Sequence, residues 1–314
     1  MPFALTVAIC TYNRSKYLNI ALDSLSSQKA DLSDIEVFVI DNNSSDDTKA
    51  ICSKYENKIP NFRYILEKQQ GLSFARNRAI EESHSDYVAY LDDDSKVSNE
   101  WAQVSKKVIS EKKPDAFGGP SFALFLKEPP RWFKPEYVRN NPSDVACELN
   151  EPHFFSGCNM AFKKRHLINL GGFQERFSMK GKKIAYGDDT DVQYRLRKAN
   201  PSAIFWFEPR LSVEHLVRDD KMTIIWQARS LFSLGFDNYL ATGGDSNDTY
   251  RRMFGNFCKQ SLGFLVDSLY RLHFRNKQKH PYWQNYMKEY VFPKRLARLG
   301  VIFAKLQIKK GKPG

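Results

Sequence analysis

The chain lacks any apolar run near the roughly 18 residues that a membrane-spanning helix needs. No basic segment precedes its first apolar residues, which argues against a cleaved leader. Leu5-Thr6-Val7-Ala8-Ile9-Cys10 therefore reads as a first strand. Cysteines are few and scattered: Cys10, Cys52, Cys147, Cys158 and Cys258, with no Cys-x-x-Cys pair. That excludes a thiolate metal ribbon and fits reduced thiols, with a Cys147–Cys158 bridge as the alternative. Neither G-x-G-x-x-G nor G-x-x-x-x-G-K occurs, so the common phosphate loops are missing. There is no internal repeat and no long low-complexity segment. Acids are almost absent after Arg251, where 15 Lys or Arg face only Asp267 and Glu289. The rest holds 33 basic and 34 acidic residues, so the net charge of +12 belongs to the tail. A basic, aromatic tail suits an anionic surface, either lipid headgroups or nucleic acid.

What is present is enough for a sizeable core: 314 residues, 42% of them hydrophobic, sufficient for one large domain or a domain with an appendage. The first half alternates between strand and helix patterns. Strands are expected at 5–10, 35–40, 62–66 and 87–91. Helices are expected over 16–27, from an Asp46 or Asp47 cap to Tyr55, and over 73–82. This rhythm predicts an α/β fold with a mostly parallel sheet and helices on both faces. From about 112, prolines at 114, 120, 129, 130, 135 and 142 break the rhythm. Segments 154–162 and 204–208 read as further strands. From 222 to 308 the chain reads as mainly helical, broken near Gly243-Gly244 and Pro281.

Three expected parallel strands end in polar residues: Thr11-Tyr12-Asn13-Arg14, Asp41-Asn42-Asn43, and Asp92-Asp93-Asp94. Open α/β sheets bind ligands at that edge. Adjacent carboxylates repel unless donors or a cation hold them, and the natural cation is a hard divalent metal that also binds phosphate oxygens. A solvated acidic turn, or a helix N-cap before Asn99-Glu100-Trp101, is the plainer alternative. Arg76 and Arg78, after Gly71, can face a diphosphate or simply line a basic helix face. Asp188-Asp189-Thr190-Asp191 falls on a first helical turn, where negative charge is favoured. Its acids either cap the helix or supply a general base. His215 is either structural or a metal ligand.

These pieces together resemble the family-2, nucleotide-sugar-dependent glycosyltransferases of the GT-A fold, of the bacterial surface-glycan type. The resemblance covers about Thr6 to Gly235. It rests on Ala8–Arg14, Val39–Ser44, Gly71–Asn77, Tyr90–Asp94, Gly157–Phe162, Gly171-Gly172-Phe173 and Gly187–Asp191, in that order. It implies a GT-A catalytic domain at 1–221, with a nucleotide-sugar half to about 112 and an acceptor half after it. A basic helical region would follow at 222–314. Thr11, Tyr12, Asn13, Arg14, Asp41, Asn43, Gly71, Arg76, Asp92 and Asp93 would bind the nucleotide sugar. Asp92-Asp93-Asp94 matches the family's DxD motif, with Asp94 and Asp92 holding Mn2+ or Mg2+ and His215 adding a contact. Asp189 would be the catalytic base, with Asp188 where Glu is usual. Asn159 and Met160 would lie near the acceptor.

The resemblance implies inverting transfer from a nucleotide sugar, a UDP-sugar first, to a hydroxyl of a glycan or lipid-linked acceptor in polysaccharide biosynthesis. The protein would be cytoplasmic or peripheral on the inner face of the cytoplasmic membrane. Lys294–Lys305 has the pattern of a basic amphipathic helix, which either docks on that membrane or caps the fold. Nucleic acid is not expected as a partner. Two other classes stay open: a sugar nucleotidyltransferase, which also uses carboxylate-bound metal, and a non-catalytic protein acting through its tail.

Overall fold

A period of two governs the central strands. Leu5, Val7 and Ile9 point to one buried cluster together with Ile35, Val37, Val39, Ala89 and Leu91. Ala8, Phe38, Ile40, Val88 and Tyr90 point to a second cluster on the opposite face. Alternation with both faces apolar requires a sheet covered on both sides, and the computed structural model has one. It describes residues 3–177, 187–245 and 247–311.

The strands are β1 (Leu5–Thr11), β2 (Ile35–Asp41), β3 (Phe62–Leu66), β4 (Tyr87–Asp92), β5 (Ser95–Val97), β6 (Ala116–Gly118), β7 (Ser121–Leu124), β8 (Cys147–Glu148), β9 (Asn159–Lys163), β10 (Phe205–Phe207) and β11 (Val213–Leu216). Eight form one sheet in the order β3-β2-β1-β4-β9-β6-β10-β8. β3, β2, β1 and β4 are mutually parallel, and β9 runs antiparallel between β4 and β6. A second sheet, β5-β11-β7, was not foreseen from the sequence.

The helices are α1 (Ser15–Ser26), α2 (Thr48–Ser53), α3 (Leu72–Glu82), α4 (Trp101–Lys112), α5 (Lys164–Asn169), α6 (Gly187–Ala199), α7 (Ile224–Ala241), α8 (Tyr250–Leu265), α9 (Trp283–Tyr286) and α10 (Phe292–Lys309). Leu18, Ala21, Leu22 and Leu25 of α1 and Trp101, Val104 and Val108 of α4 cover one sheet face. Ala75, Ala79 and Ile80 of α3, with Val192 and Leu196, cover the other.

The expected strands and helices of the first 92 residues are all present, within two residues at most ends. Beyond β4 the elements depart further from the sequence pattern. The strand expected over 154–162 is only Asn159–Lys163, and α4 starts at Trp101, where the alternative reading of the acidic triplet put a helix start. None of the five cysteines forms a disulfide among the described residues.

Two compact units result. One comprises Met1–Leu124, Val138–Glu175 and Val192–Leu216 and contains both sheets; the other comprises Phe125–Tyr137, Arg176–Asp191 and Val217–Gly314. In the second unit α10 packs closely on α7 and α8. Gly235 and Gly300 let those backbones meet: a Cβ on Gly235 would lie 2.1 Å from the Ala297 carbonyl oxygen. One on Gly300 would lie 2.2 Å from that of Phe232. Gly300, Ile302 and Ala304 are buried, so the inner face of Lys294–Lys305 caps a helical bundle. No helix among the described residues is long and apolar enough to cross a membrane.

Candidate active site at the carboxyl edge of the sheet

Register brings the three polar strand ends together. Thr11 pairs with Asp41, and Cys10 pairs with Asp92. The chain then leaves β4 as Asp93-Asp94, both buried. Asp93 accepts from Thr11 Oγ1 at 2.7 Å and from Arg14 at 2.7 Å. The same Arg14 nitrogen reaches Asp94 Oδ2 at 3.1 Å. Complete burial pushes the Asp93 carboxyl up to about 6, with Arg14 pulling the other way. Burial works against the Arg14 charge, yet Asp93 and Asp94 hold its pKa above the usual value. Thus Arg14 braces the acidic triplet.

His215, on β11, faces the triplet from its other side. Its Nε2 lies 3.0 Å from Asp94 Oδ1 and 3.5 Å from Asp92 Oδ2. Neighbouring ligands on an octahedral ion bound at about 2.1 Å stand about 3 Å apart. The His215–Asp94 spacing suits two neighbouring ligands of a small divalent cation, with Asp92 somewhat farther off, and an imidazole favours a transition ion such as Mn2+ over Mg2+. The charge also fits, since three carboxylates share one full guanidinium charge.

Cys158 is a residue the sequence did not single out. Its sulfur, an Asp92 oxygen and a His215 nitrogen all lie within 4.8 Å of one another. Burial, with Asp92 adding to it, pushes the thiol up to about 12. Only its place beside Gly157 and Asn159 in the chain hinted at this.

Asp41 is buried and holds the turn after β2. It accepts from Ser44 N at 2.8 Å and Tyr64 Oη at 2.7 Å. Asn13 and Asn43 take positive φ angles of 51° and 65°. Asn13 Oδ1 accepts from Ser45 N at 2.8 Å, tying the first loop to the second. Asp46 also bonds across, accepting from Ser15 N at 2.9 Å at the start of α1. Tyr12 is partly exposed at the same edge. Asn42, another residue missed from sequence, clasps the loop before α3. It accepts from Gly71 N at 2.7 Å and donates to Gln69 O at 2.6 Å. Gly71 sits at φ 141°, which a side chain would resist.

Other expected site residues are interior. Arg76 is buried over the rings of Tyr90 and Phe173, with one nitrogen 3.4 Å from Gly157 O. Arg78 instead pairs with Glu82 at 2.7 Å on the helix surface. Asn159 is buried, accepting from Trp101 Nε1 at 3.2 Å and donating to Leu211 O at 2.6 Å. Met160 lies in the core.

Asp188 and Asp189 lie in the first turn of α6, in the second unit. Asp188 Oδ1 accepts from Asp189 N at 3.0 Å, and Asp189 Oδ1 from Thr190 N at 2.8 Å. Both are thus engaged with orphan amides of the helix start.

The Glycosyl transferase family 2 model matches residues 6–171. A chondroitin synthase of Escherichia coli is 29% identical over 225 residues, covering 61% of this chain and 32% of that one. The GalNAc(5)-diNAcBac-PP-undecaprenol beta-1,3-glucosyltransferase of Campylobacter jejuni is 25% identical over 226 residues, 70% of this chain and 67% of its own. The chain spans well under half the length of several curated relatives that it matches. Among solved structures, S. aureus TarS 1-349 in complex with UDP-GlcNAc aligns with a TM-score of 0.54 at 17% identity, covering 99% of this chain and 93% of that one. That likeness is one of fold, the GT-A type. The family model covers more than half of the residues, and they include the whole acidic triplet: the chain belongs to glycosyl transferase family 2.

Proposed function

We propose that the protein is an inverting glycosyltransferase, moving a sugar from a nucleoside-diphosphate sugar to a hydroxyl of a glycan or lipid-linked acceptor. The observation that carries this is the cluster of Asp92, Asp94 and His215 at the edge of β4 and β11, with Arg14 bracing it. A UDP-sugar is the first donor to try, since TarS, of the same fold, is known in complex with UDP-GlcNAc. A lipid-linked acceptor is supported by the name of the Campylobacter relative. In this reading the catalytic domain is 1–221, and 222–314 is a basic helical region serving a protein at the inner face of the cytoplasmic membrane.

Asp94, Asp92 and His215 would hold Mn2+ or Mg2+. When bound, such an ion neutralises charge on a departing diphosphate. Arg14 fixes the carboxylates, and Thr11 donates to Asp93, so the ligand set is pre-oriented. The loops carrying Tyr12, Asn13, Asp41, Asn43 and Gly71 bind the base and ribose. Asp189 takes the proton from the attacking hydroxyl, with Asp188 beside it. Attack opposite the leaving group inverts the anomeric centre in one displacement.

The test is nucleotide release from UDP-, GDP- and dTDP-sugars, with and without Mn2+, by the parent protein, Asp94→Ala and Asp189→Asn. Metal-dependent nucleoside diphosphate from one donor, lost in Asp94→Ala, is expected. Asp189→Asn should bind that donor normally and lose acceptor-dependent turnover by at least about 100-fold. Release of inorganic diphosphate instead would make the protein a nucleotidyltransferase.

A further inference from the structure

α8 has two apolar faces. Met253 and Gln260 are buried, and Phe264 packs against the cluster of Tyr286, Met287, Val291 and Phe292. The neighbouring side carries Phe254, Phe257, Leu262 and Leu265, which are 69%, 37%, 64% and 54% exposed, with Phe257 at its edge against the Phe303 ring of α10. At 3.6 residues per turn these four span an arc of about 140°, a continuous stripe. Past the helix end Leu269 extends it, at 76% exposed. A Cβ on Gly255 would meet nothing within 4 Å. Scattered exposed apolar residues are ordinary, but a contiguous row of Phe and Leu on one helix face marks a binding surface.

The charges around the stripe say what covers it. Between Tyr250 and Lys279 there are seven Lys or Arg and one acid, Asp267. That acid is fully buried, bonded to Arg295 at 2.8 Å and to Arg271 at 3.1 Å. Arg251, Lys259, Lys277 and Lys279 are exposed. A second copy of this chain would bring the same basic rim and be repelled. An aromatic and aliphatic stripe with a cationic rim matches an anionic lipid surface, with the apolar side chains below the headgroups and the cations among the phosphates.

We propose that α8, continued through Leu269, is a docking surface for an anionic bilayer, its apolar stripe lying in the headgroup region. This refines the membrane contact in the functional proposal. It assigns that contact to α8 rather than to α10, whose inner face is buried against α7 and α8. The proposal stands apart from the chemistry, because its readout needs no turnover.

Flotation of the whole protein with phosphatidylglycerol–phosphatidylcholine vesicles and with phosphatidylcholine vesicles tests it. The parent should float with the anionic vesicles and detach as salt rises. Phe254→Ser with Leu265→Ser should lower binding at least about tenfold. Arg251→Gln with Lys259→Gln should lower it at least about tenfold on anionic vesicles only. All four positions are exposed, and an unchanged circular dichroism melt would show intact folding. Three results would each overturn the proposal. One is a parent that stays with the soluble fraction at low salt. Another is either variant floating as the parent does. The third is a parent that sediments as a dimer which the Phe254→Ser, Leu265→Ser variant dissociates, with no vesicle binding.

Discussion

At the scale of single residues, the acidic triplet was legible because three adjacent carboxylates demand an explanation. Their division of labour was not. A strand fixes which way Asp92 points, but Asp93 and Asp94 follow the turn beyond it, and only the fold shows both buried. That the Arg14 guanidinium bridges Asp93 and Asp94 is likewise visible only in the fold. Cys158 and Asn42 escaped notice because small polar residues carry no pattern until their partners are in place. Thr11 gives a direct check. Its hydroxyl is one of two donors to a fully buried carboxyl. Thr11→Val should cost about 1–3 kcal/mol in urea unfolding, with Thr11→Ser recovering most of it. A Thr11→Val variant as stable as its parent would show that Arg14 alone satisfies Asp93.

At the scale of elements, α/β alternation was plain up to β4 because each strand is mainly apolar and each helix carries an apolar stripe. It fades where strands shorten to two to five residues, too few for a period to show. Those short strands are tied by side chains. Asp115, just before β6, accepts from Ile204 N at 2.9 Å, His166 Nε2 at 2.7 Å and Lys163 Nζ at 3.1 Å. Although burial opposes it, these donors hold the Asp115 carboxyl below the usual carboxylate value. A depressed folded pKa stabilises above the unfolded value, and that contribution disappears as pH falls through the folded one. Asp115→Asn should therefore be less stable than the parent at neutral pH, by about 1–3 kcal/mol. The gap should close as pH falls below about 4. A gap independent of pH would mean that the shape of the side chain matters and its charge does not.

The α7–α10 pair makes a second check at this scale. Alanine favours a helix over glycine by about 1 kcal/mol. At Gly300, however, the new methyl would sit 2.2 Å from a backbone oxygen that cannot step aside cheaply. The clash should win, so Gly300→Ala lowers stability by about 1–2 kcal/mol net. Gly255→Ala on open α8 surface should raise it, since nothing stands in the way. Chemical denaturation of both variants reads the two signs against each other.

At the scale of the whole molecule, the sequence divides by motif and charge, while the chain divides by what packs with what. The motifs fade after about residue 221 and the basic excess begins at 251, which suggests a catalytic part and a tail. Yet the second compact unit takes in Phe125–Tyr137, far upstream. Asn285 donates to Trp132 O at 2.5 Å and to Tyr137 Oη at 2.6 Å. Glu289 accepts from Lys134 Nζ at 2.6 Å and from Tyr137 Oη at 2.6 Å. Partners about 150 residues apart leave no local trace, so this closure could not be read from the sequence. A chain ending at Leu216 keeps every strand but strips 125–137 of Asn285 and Glu289, baring Trp132 and Phe133. It should melt several degrees below the full chain and bind a hydrophobic dye. In the full chain, Asn285→Ala alone should cost about 1–3 kcal/mol by leaving the Trp132 carbonyl buried without its donor. A truncated chain that melts with the parent and binds no dye would show the helical region to be a true appendage. A lower melting point would show that the basic tail also completes a core begun by residues upstream.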